Sequence, residues 1–271
     1  MKRLINRHPG SGSRIALGLV PFVLLAALYL FNSSLRLAAN PNDKLLPGLD
    51  SLGAAIAQMA FQEDQRSGHV LLWLDTGASL ERLAIALLIS ATLGLVIGIA
   101  LGLIPYVQAS FASLVAALAM IPPLAILPIL FIVLGLGESA KIALIVIGVA
   151  PCIARDIALR VGELPPEQLI KAQTLGASTW QLILRVVLPQ MWPRLIDTLR
   201  LSLGSAWLFL IAAEAIASTE GLGYRIFLVR RYLAMDIILP YVVWITLLAF
   251  ATDWLLRQLR ARVFPWAEPQ R

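Results

Sequence analysis

Residues 83–104 read LAIALLISATLGLVIGIALGLI and residues 109–136 read ASFASLVAALAMIPPLAILPILFIVLGL; neither stretch carries a charged side chain. As a helix rising 1.5 Å per residue, the first is about 33 Å long, enough to cross a hydrocarbon core of about 30 Å. Two such stretches in succession predict an integral membrane protein. Composition agrees, since 59% apolar and 14% charged residues over 271 positions lie far from the usage of a soluble domain.

Outward from this pair, residues 15–31 form a further apolar run behind Lys2, Arg3, Arg7 and Arg14. Its length, and the poor cleavage site at Leu37-Ala38-Ala39, predict a retained helix instead of a removed signal peptide. Three more runs lie between Lys141 and Arg155, Arg200 and Glu214, and Asp236 and Asp253. Each spans only about 20 to 25 Å as a helix, so these segments carry charge to membrane depth. Arginines such as Arg155 and Arg200 can reach the interface by snorkelling, whereas the short Glu214 cannot. The chain is therefore read as an all-α integral membrane protein of about six transmembrane helices. In the long connection after the first span, residues 49–61 place Leu52, Ile56, Met59 and Ala60 at helical spacing, which predicts a short interfacial helix.

Six spans put both termini on one side. That side, with the connection after span four, holds 14 of the 22 basic residues, so the positive-inside rule predicts cytoplasmic termini. The chain then divides into a cytoplasmic tail (1–14), one membrane domain (15–262) with a cytoplasmic loop (160–200), and a cytoplasmic tail (263–271). Arg225, Arg230 and Arg231 oppose this bias by falling on the outer side. They are expected to receive a soluble partner with an acidic rim, or to anchor the interface. The formal charge of +6 forms no single basic face, so nucleic acid is not an expected partner, whereas membrane lipid is.

Enzyme chemistry finds few of the groups it needs. His8 and His69 are the only histidines, no His-Glu-x-x-His is present, and Gly137-Glu138-Ser139 has no histidine after it. The single Cys152 can form neither an internal disulfide nor a multi-cysteine metal site. No Gly-x-x-x-x-Gly-Lys-Ser/Thr loop occurs, so hydrolysis of ATP would need a separate chain. Two features point elsewhere. Gly94, Gly98 and Gly102 share one helix face, where a neighbouring backbone can approach. Pro122, Pro123 and Pro128 remove amide donors from the third span and are expected to interrupt it, which in lipid survives beside other helices or a water-filled pathway.

The most informative segment follows span four: Glu167-Gln168-Leu169-Ile170-Lys171-Ala172-Gln173-Thr174-Leu175-Gly176-Ala177-Ser178, then Val186-Val187-Leu188-Pro189. Pro165 and Pro166 suit a helix start and Gly176 a break, so an interrupted hairpin presenting a small knob is expected.

At these residues the sequence resembles the inner-membrane permeases of binding-protein-dependent ABC importers, whose pattern is Glu-Ala-Ala, three residues, Gly, nine residues, Ile-x-Leu-Pro. Gly176 matches the glycine, Ala172 the second alanine, Val186 the isoleucine, and Leu188 and Pro189 the final pair; Ile170 and Lys171 replace the glutamate and first alanine. Ser79-Leu80-x-Arg82, Ile121-Pro122-Pro123, Leu134-Gly135-Leu136-Gly137, Ala213-Glu214 and Gly221-Leu222-Gly223 are similar to the taurine, aliphatic sulfonate and nitrate branch. The resemblance implies a type I ABC importer permease fold in a bacterial inner membrane. It also implies a second permease copy, a cytoplasmic ATPase dimer that holds ATP and Mg, and a periplasmic substrate-binding protein, with no cofactor in this chain.

Under that reading Ile170, Lys171, Ala172, Gly176, Ala177, Leu188 and Pro189 couple to the ATPase. Pro122, Pro123, Pro128, Ser205, Trp207 and Glu214 line or gate the pathway, although Glu214 could instead pair with an arginine of a neighbouring helix. The solute is a small polar one such as taurine, a sulfonate or nitrate, with a guanidine or urea derivative as the alternative. A competing class is a membrane scaffold without transport activity. Broken helices, an intramembrane acid and a partner-facing knob argue against it.

Overall fold

The computed structural model describes residues 10–41, 43–64 and 68–267. Residues 1–9 of the expected amino-terminal tail and 268–271 of the expected carboxyl-terminal tail lie outside them. Eleven α-helices are present among the described residues: α1 (Ser11–Ala39), α2 (Leu49–Phe61), α3 (Leu71–Leu103), α4 (Pro105–Leu118), α5 (Pro123–Leu134), α6 (Glu138–Gly162), α7 (Pro166–Thr174), α8 (Thr179–Leu182), α9 (Leu188–Ala217), α10 (Leu222–Arg230) and α11 (Met235–Val263). A π-helical turn, Ile183–Val187, joins α8 to α9.

Among the described residues, five helices are long and apolar enough to cross a membrane: α1, α3, α6, α11 and the run Thr179–Ala217. The pair α4 and α5 makes a sixth span if counted as one, with a bend of 93°. The bend follows from chain chemistry. Pro122 and Pro123 offer no N–H, so α4 winds down through the bonds Met120 N–H to Ala117 O and Ile121 N–H to Leu118 O, and Pro123 opens α5. Pro128, expected to add to the interruption, lies inside α5 without ending it. The break sits near the middle of α6: a Cβ at Gly148 would lie 2.9 Å from Pro123 Cγ and would press on the Phe209 ring.

The core is built on α3, α6 and α9. The glycine face of α3 packs on α6, where a Cβ at Gly98 would stand 2.6 Å from Ile157 Cβ and 2.8 Å from the Ala154 carbonyl oxygen. Gly94 and Gly102 meet Ile153 and Val161 in the same way, so the stripe is a close approach of two backbones. Gly77, on the same helix, faces open space. Adding one methyl should therefore have opposite consequences at the two positions. Gly98→Ala is expected to destabilise the purified protein by about 1–3 kcal/mol through overpacking, whereas Gly77→Ala gains up to about 1 kcal/mol of helix propensity. Thermal unfolding of the two variants checks this, and equal unfolding temperatures would contradict the packing.

α1 runs eight residues beyond its expected end, past Asn32, Ser33 and Ser34, so the connection after it is shorter than the sequence suggests. It lies apart from the core and is tied at one end by Tyr29 Oη donating to Pro47 O (2.7 Å) and Ser33 Oγ to Leu46 O (3.0 Å). The short helix α2 covers the residues expected and packs on α3 and α11. Arg200 has a partner within the protein: it donates to Asp253 of α11 (2.8 and 3.2 Å).

Candidate functional site

Two groups of residues stand at opposite ends of the molecule. At the first end the connection from α6 to α9 folds as an interrupted hairpin. Pro165 and Pro166 start α7, whose last turn closes in a Schellman arrangement: Ala177 N–H donates to Ala172 O (3.1 Å) and Gly176 N–H to Gln173 O (2.9 Å). That closure needs a left-handed residue, and Gly176 supplies φ of +82°. Ser178 then caps α8, accepting from Gln181 N–H at 3.3 Å while its own N–H donates to Gln181 Oε1 at 2.9 Å. Leu188 N–H reaches back to Ile183 O, five residues away, and Pro189, without a donor, opens α9.

The expected coupling residues are thus gathered in one element. Ile170, Lys171, Gly176 and Pro189 are exposed, while Ala172, Ala177 and Leu188 are half-buried against the helices beneath. Leu175 (82% exposed) and Trp180 (67% exposed) add apolar surface on either side of Gly176. Sequence reading had not singled these two out, although large apolar residues beside a surface turn are a legible sign of a partner.

At the other end a buried polar cluster joins α3, α6, α9, α10 and α11. Asp75, Ser79 and Arg82 follow one face of α3, and all three are buried. Arg82 Nη1 donates to Glu214 Oε1 of α9 (2.9 Å) and to Glu220 O (3.0 Å), and the same guanidinium is paired with Glu138 of α6. Ser79 Oγ bonds the Glu214 carboxylate (2.8 Å), and Lys141 Nζ donates to Glu138 Oε1 (2.7 Å).

The start of α10 aims three backbone donors into this cluster. Gly221 N–H reaches Asp75 Oδ1, Leu222 N–H reaches Ser79 Oγ and Gly223 N–H reaches Glu214 Oε2, each at 2.9 Å. The Gly-Leu-Gly sequence follows from that geometry. Gly221 has φ of +122°, and a Cβ there would lie 2.6 Å from Glu214 Cδ. Arg225 Nε completes the arrangement on Asp75 Oδ2 (2.8 Å), which Tyr241 Oη of α11 also approaches (3.1 Å). Burial alone would lower the proton affinity of Arg225, but the hydrogen bond and charge of Asp75 outweigh it and hold the guanidinium above its ordinary value.

These contacts sort the expected pathway and docking residues. Glu214 is fully buried and committed to Arg82, Ser79 and Gly223, the pairing with a neighbouring arginine that the sequence left open. Trp207 is buried on the same side of α9, whereas Ser205 is exposed on the opposite side with Leu201 and Leu208, so the three do not form one site. Arg225 is spoken for by Asp75, which leaves Arg230 and Arg231 exposed, the first stacked 4.9 Å above the Phe227 ring. Asp75 and Tyr241 were missed. The spacing of 75, 79 and 82 on one face of an otherwise apolar helix is the signal that could have found the first.

Comparison with known proteins agrees with this architecture. The taurine transport system permease protein TauC of Escherichia coli (strain K12) is 36% identical over 195 residues, covering 72% of this chain and 71% of that protein. The putative aliphatic sulfonates transport permease protein SsuC of Bacillus subtilis (strain 168) is 29% identical over 208 residues, covering 77% of this chain and 75% of that protein. A chain of the MetNI methionine ABC transporter, solved in inward-facing conformations, superposes with a TM-score of 0.58 at 21% identity, over 72% of this chain and 99% of that one; it shows the type I ABC importer permease fold. A family model matches residues 90–265, from Ser90, one turn before Gly94 in α3, to just beyond the end of α11. The chain belongs to the binding-protein-dependent transport system inner membrane component family.

Proposed function

We propose that this chain is the permease subunit of an ATP-driven importer, paired with a second copy of itself, and that residues 166–189 transmit ATPase closure to the membrane helices. The observation that carries this reading is the interrupted hairpin, with Gly176 left-handed and Leu175 and Trp180 exposed beside it. A soluble partner is what such a surface requires. In this arrangement the α7 end and both termini face the cytoplasm, where an ATPase dimer holds ATP and Mg. The α2 end faces the periplasm and the substrate-binding protein. Switching the two permease copies between inward-facing and outward-facing states moves the solute.

The solute class follows from the relatives, named for taurine, aliphatic sulfonates and, in a nitrate import permease of Synechococcus elongatus that is 30% identical, nitrate. A small oxyanion or sulfonate is the proposed cargo. Pro122 and Pro123, at the break opposite Gly148, and the exposed Ser205 face of α9 are the proposed pathway surfaces.

The experiment is purification of the chain from its native membrane, with measurement of the ATP hydrolysis that comes with it and of its response to the binding protein. Hydrolysis that rises on adding binding protein supports the reading, and a chain that carries no ATPase contradicts it. The same assay tests docking. Replacing Arg230 and Arg231 together by Gln is expected to reduce stimulation several-fold at low salt and less near 0.15 M salt, where charges more than about 8 Å apart are screened. Arg225→Gln should instead lower thermal stability, since it strips Asp75 of its cation.

A further inference from the structure

We infer that the open cleft between the ends of α6 and α11 and the starts of α7 and α9 binds a phosphate-type anion. The cleft has a volume of about 680 Å³ and is lined by Arg160, Arg194 and Arg260, with the side-chain amides of Gln168 and Gln190 and the ring of Trp266. Guanidinium groups offer paired donors that match the oxygens of a phosphate, and the Gln168 amide adds a neutral donor, while Gln190 spends its own on Gln168 Oε1 (3.2 Å) and Val186 O (2.8 Å).

Of the three lining guanidiniums, two already face carboxylates and the third, Arg194, does not. Glu163 is the cleft's one lining carboxylate and turns to Arg160 Nη1 at 3.4 Å. Behind the wall, Asp156 lies 3.6 Å from Arg160 Nε and Asp197 lies 3.2 Å from Arg260 Nη1. Arg194 makes no ion pair among the described residues and is exposed. Arg260 Nη2 donates to Ala267 O (3.2 Å), but its Nε is buried with no hydrogen-bond partner among the described residues. That Nε is closed off from solvent, so the donors a bound anion would meet are those of Arg194, which no carboxylate neutralises among the described residues.

Position names two sources for the anion. The cleft lies where α6 and α11 end, and Trp266, stacked edge-on to Phe264, is the residue type that settles at the membrane surface. Basic pockets between helix ends at a cytoplasmic face bind anionic lipid headgroups. Free phosphate in the cytosol offers the same chemistry. Either occupant would fasten the hairpin, because Gln168 belongs to α7 and Gln190 to α9 and the two already touch at 3.2 Å. The site would then set how freely α7 moves during coupling. Only the choice of leaflet rests on the proposed orientation; binding itself does not.

The test uses the transporter purified through this chain, placed in phosphatidylcholine nanodiscs without ATP. Its unfolding temperature is measured alone, with about a fifth of the lipid replaced by phosphatidylglycerol, and with inorganic phosphate against chloride at equal ionic strength. Wild type should rise by several degrees in one arm, as mass action on a bound ligand requires. Arg194→Gln should lose that rise, while Arg231→Gln, at the other end, should keep it. A rise with phosphatidylglycerol alone assigns the site to a lipid headgroup, and a rise with phosphate assigns it to a free anion. No rise in either arm, or an equal rise in Arg194→Gln, overturns the inference. ATPase co-purification is scored separately, so loss of the importer reading and loss of this site remain distinguishable.

Discussion

The Gly176→Trp variant is expected to insert normally, keep its helical content and lose at least about tenfold of its uptake, a drop that corresponds to only about 1.4 kcal/mol at the coupling step. Nothing lies within 4 Å of a Cβ built at Gly176, so the indole projects outward from the knob and not into the fold. Forcing a side chain to φ of +82° costs about 1 kcal/mol, borne by one surface turn. Gly176→Ala separates the two effects, because it carries the same backbone strain without the bulk. Uptake close to wild type in Gly176→Ala with loss in Gly176→Trp identifies steric exclusion of a partner. Normal uptake by both variants means that this turn does not touch the ATPase.

The second large effect belongs to the opposite end. Arg82→Ala leaves the Glu214 carboxylate fully buried without its cation and frees Glu138 and the Glu220 carbonyl at the same time. Breaking one side of a buried pair costs about 3–5 kcal/mol, so the unfolding temperature of the purified protein should fall on the order of 10 °C. Glu214→Gln keeps a side chain able to accept from Ser79 and Gly223, and Arg82 still holds Glu138, so its loss should be smaller, roughly 1–3 kcal/mol. A transport defect in Arg82→Ala at wild-type stability would assign the cluster to gating instead.

The contrast between the two ends shows where sequence reading stops. Spans 83–104 and 109–136, the interfacial helix and the Pro122-Pro123 break depend on composition and on single residues that cannot donate hydrogen bonds, so each is visible locally. The hairpin is equally local, since Pro166, Gly176, Ser178 and Pro189 each act within a few residues of chain. Arg225 is the opposite case. It looked like an unexplained outer cation because its partner, Asp75, lies 150 residues away and had been placed in a connection, not in a helix. Glu214 was recognised as a charge needing a partner, but which arginine answers it is settled only by packing α3 against α9. Ser205 was expected close to Glu214 on one helix, and helical phase separates the two. Nine residues separate Ser205 from Glu214, a half-integral number of turns that puts them on opposite sides of α9, whereas seven bring Trp207 onto the buried side with Glu214.

Solute uptake into proteoliposomes, with uptake and ATP hydrolysis counted together, tests the central claim most directly. With the chain, its co-purifying ATPase and the binding protein all present, uptake of taurine, a sulfonate or nitrate should require ATP and should vanish when any one component is left out. In Gly176→Trp, solute moved per ATP hydrolysed should collapse while the protein stays in the membrane. Uptake that proceeds without ATP, or an unchanged ratio in Gly176→Trp, would contradict the account.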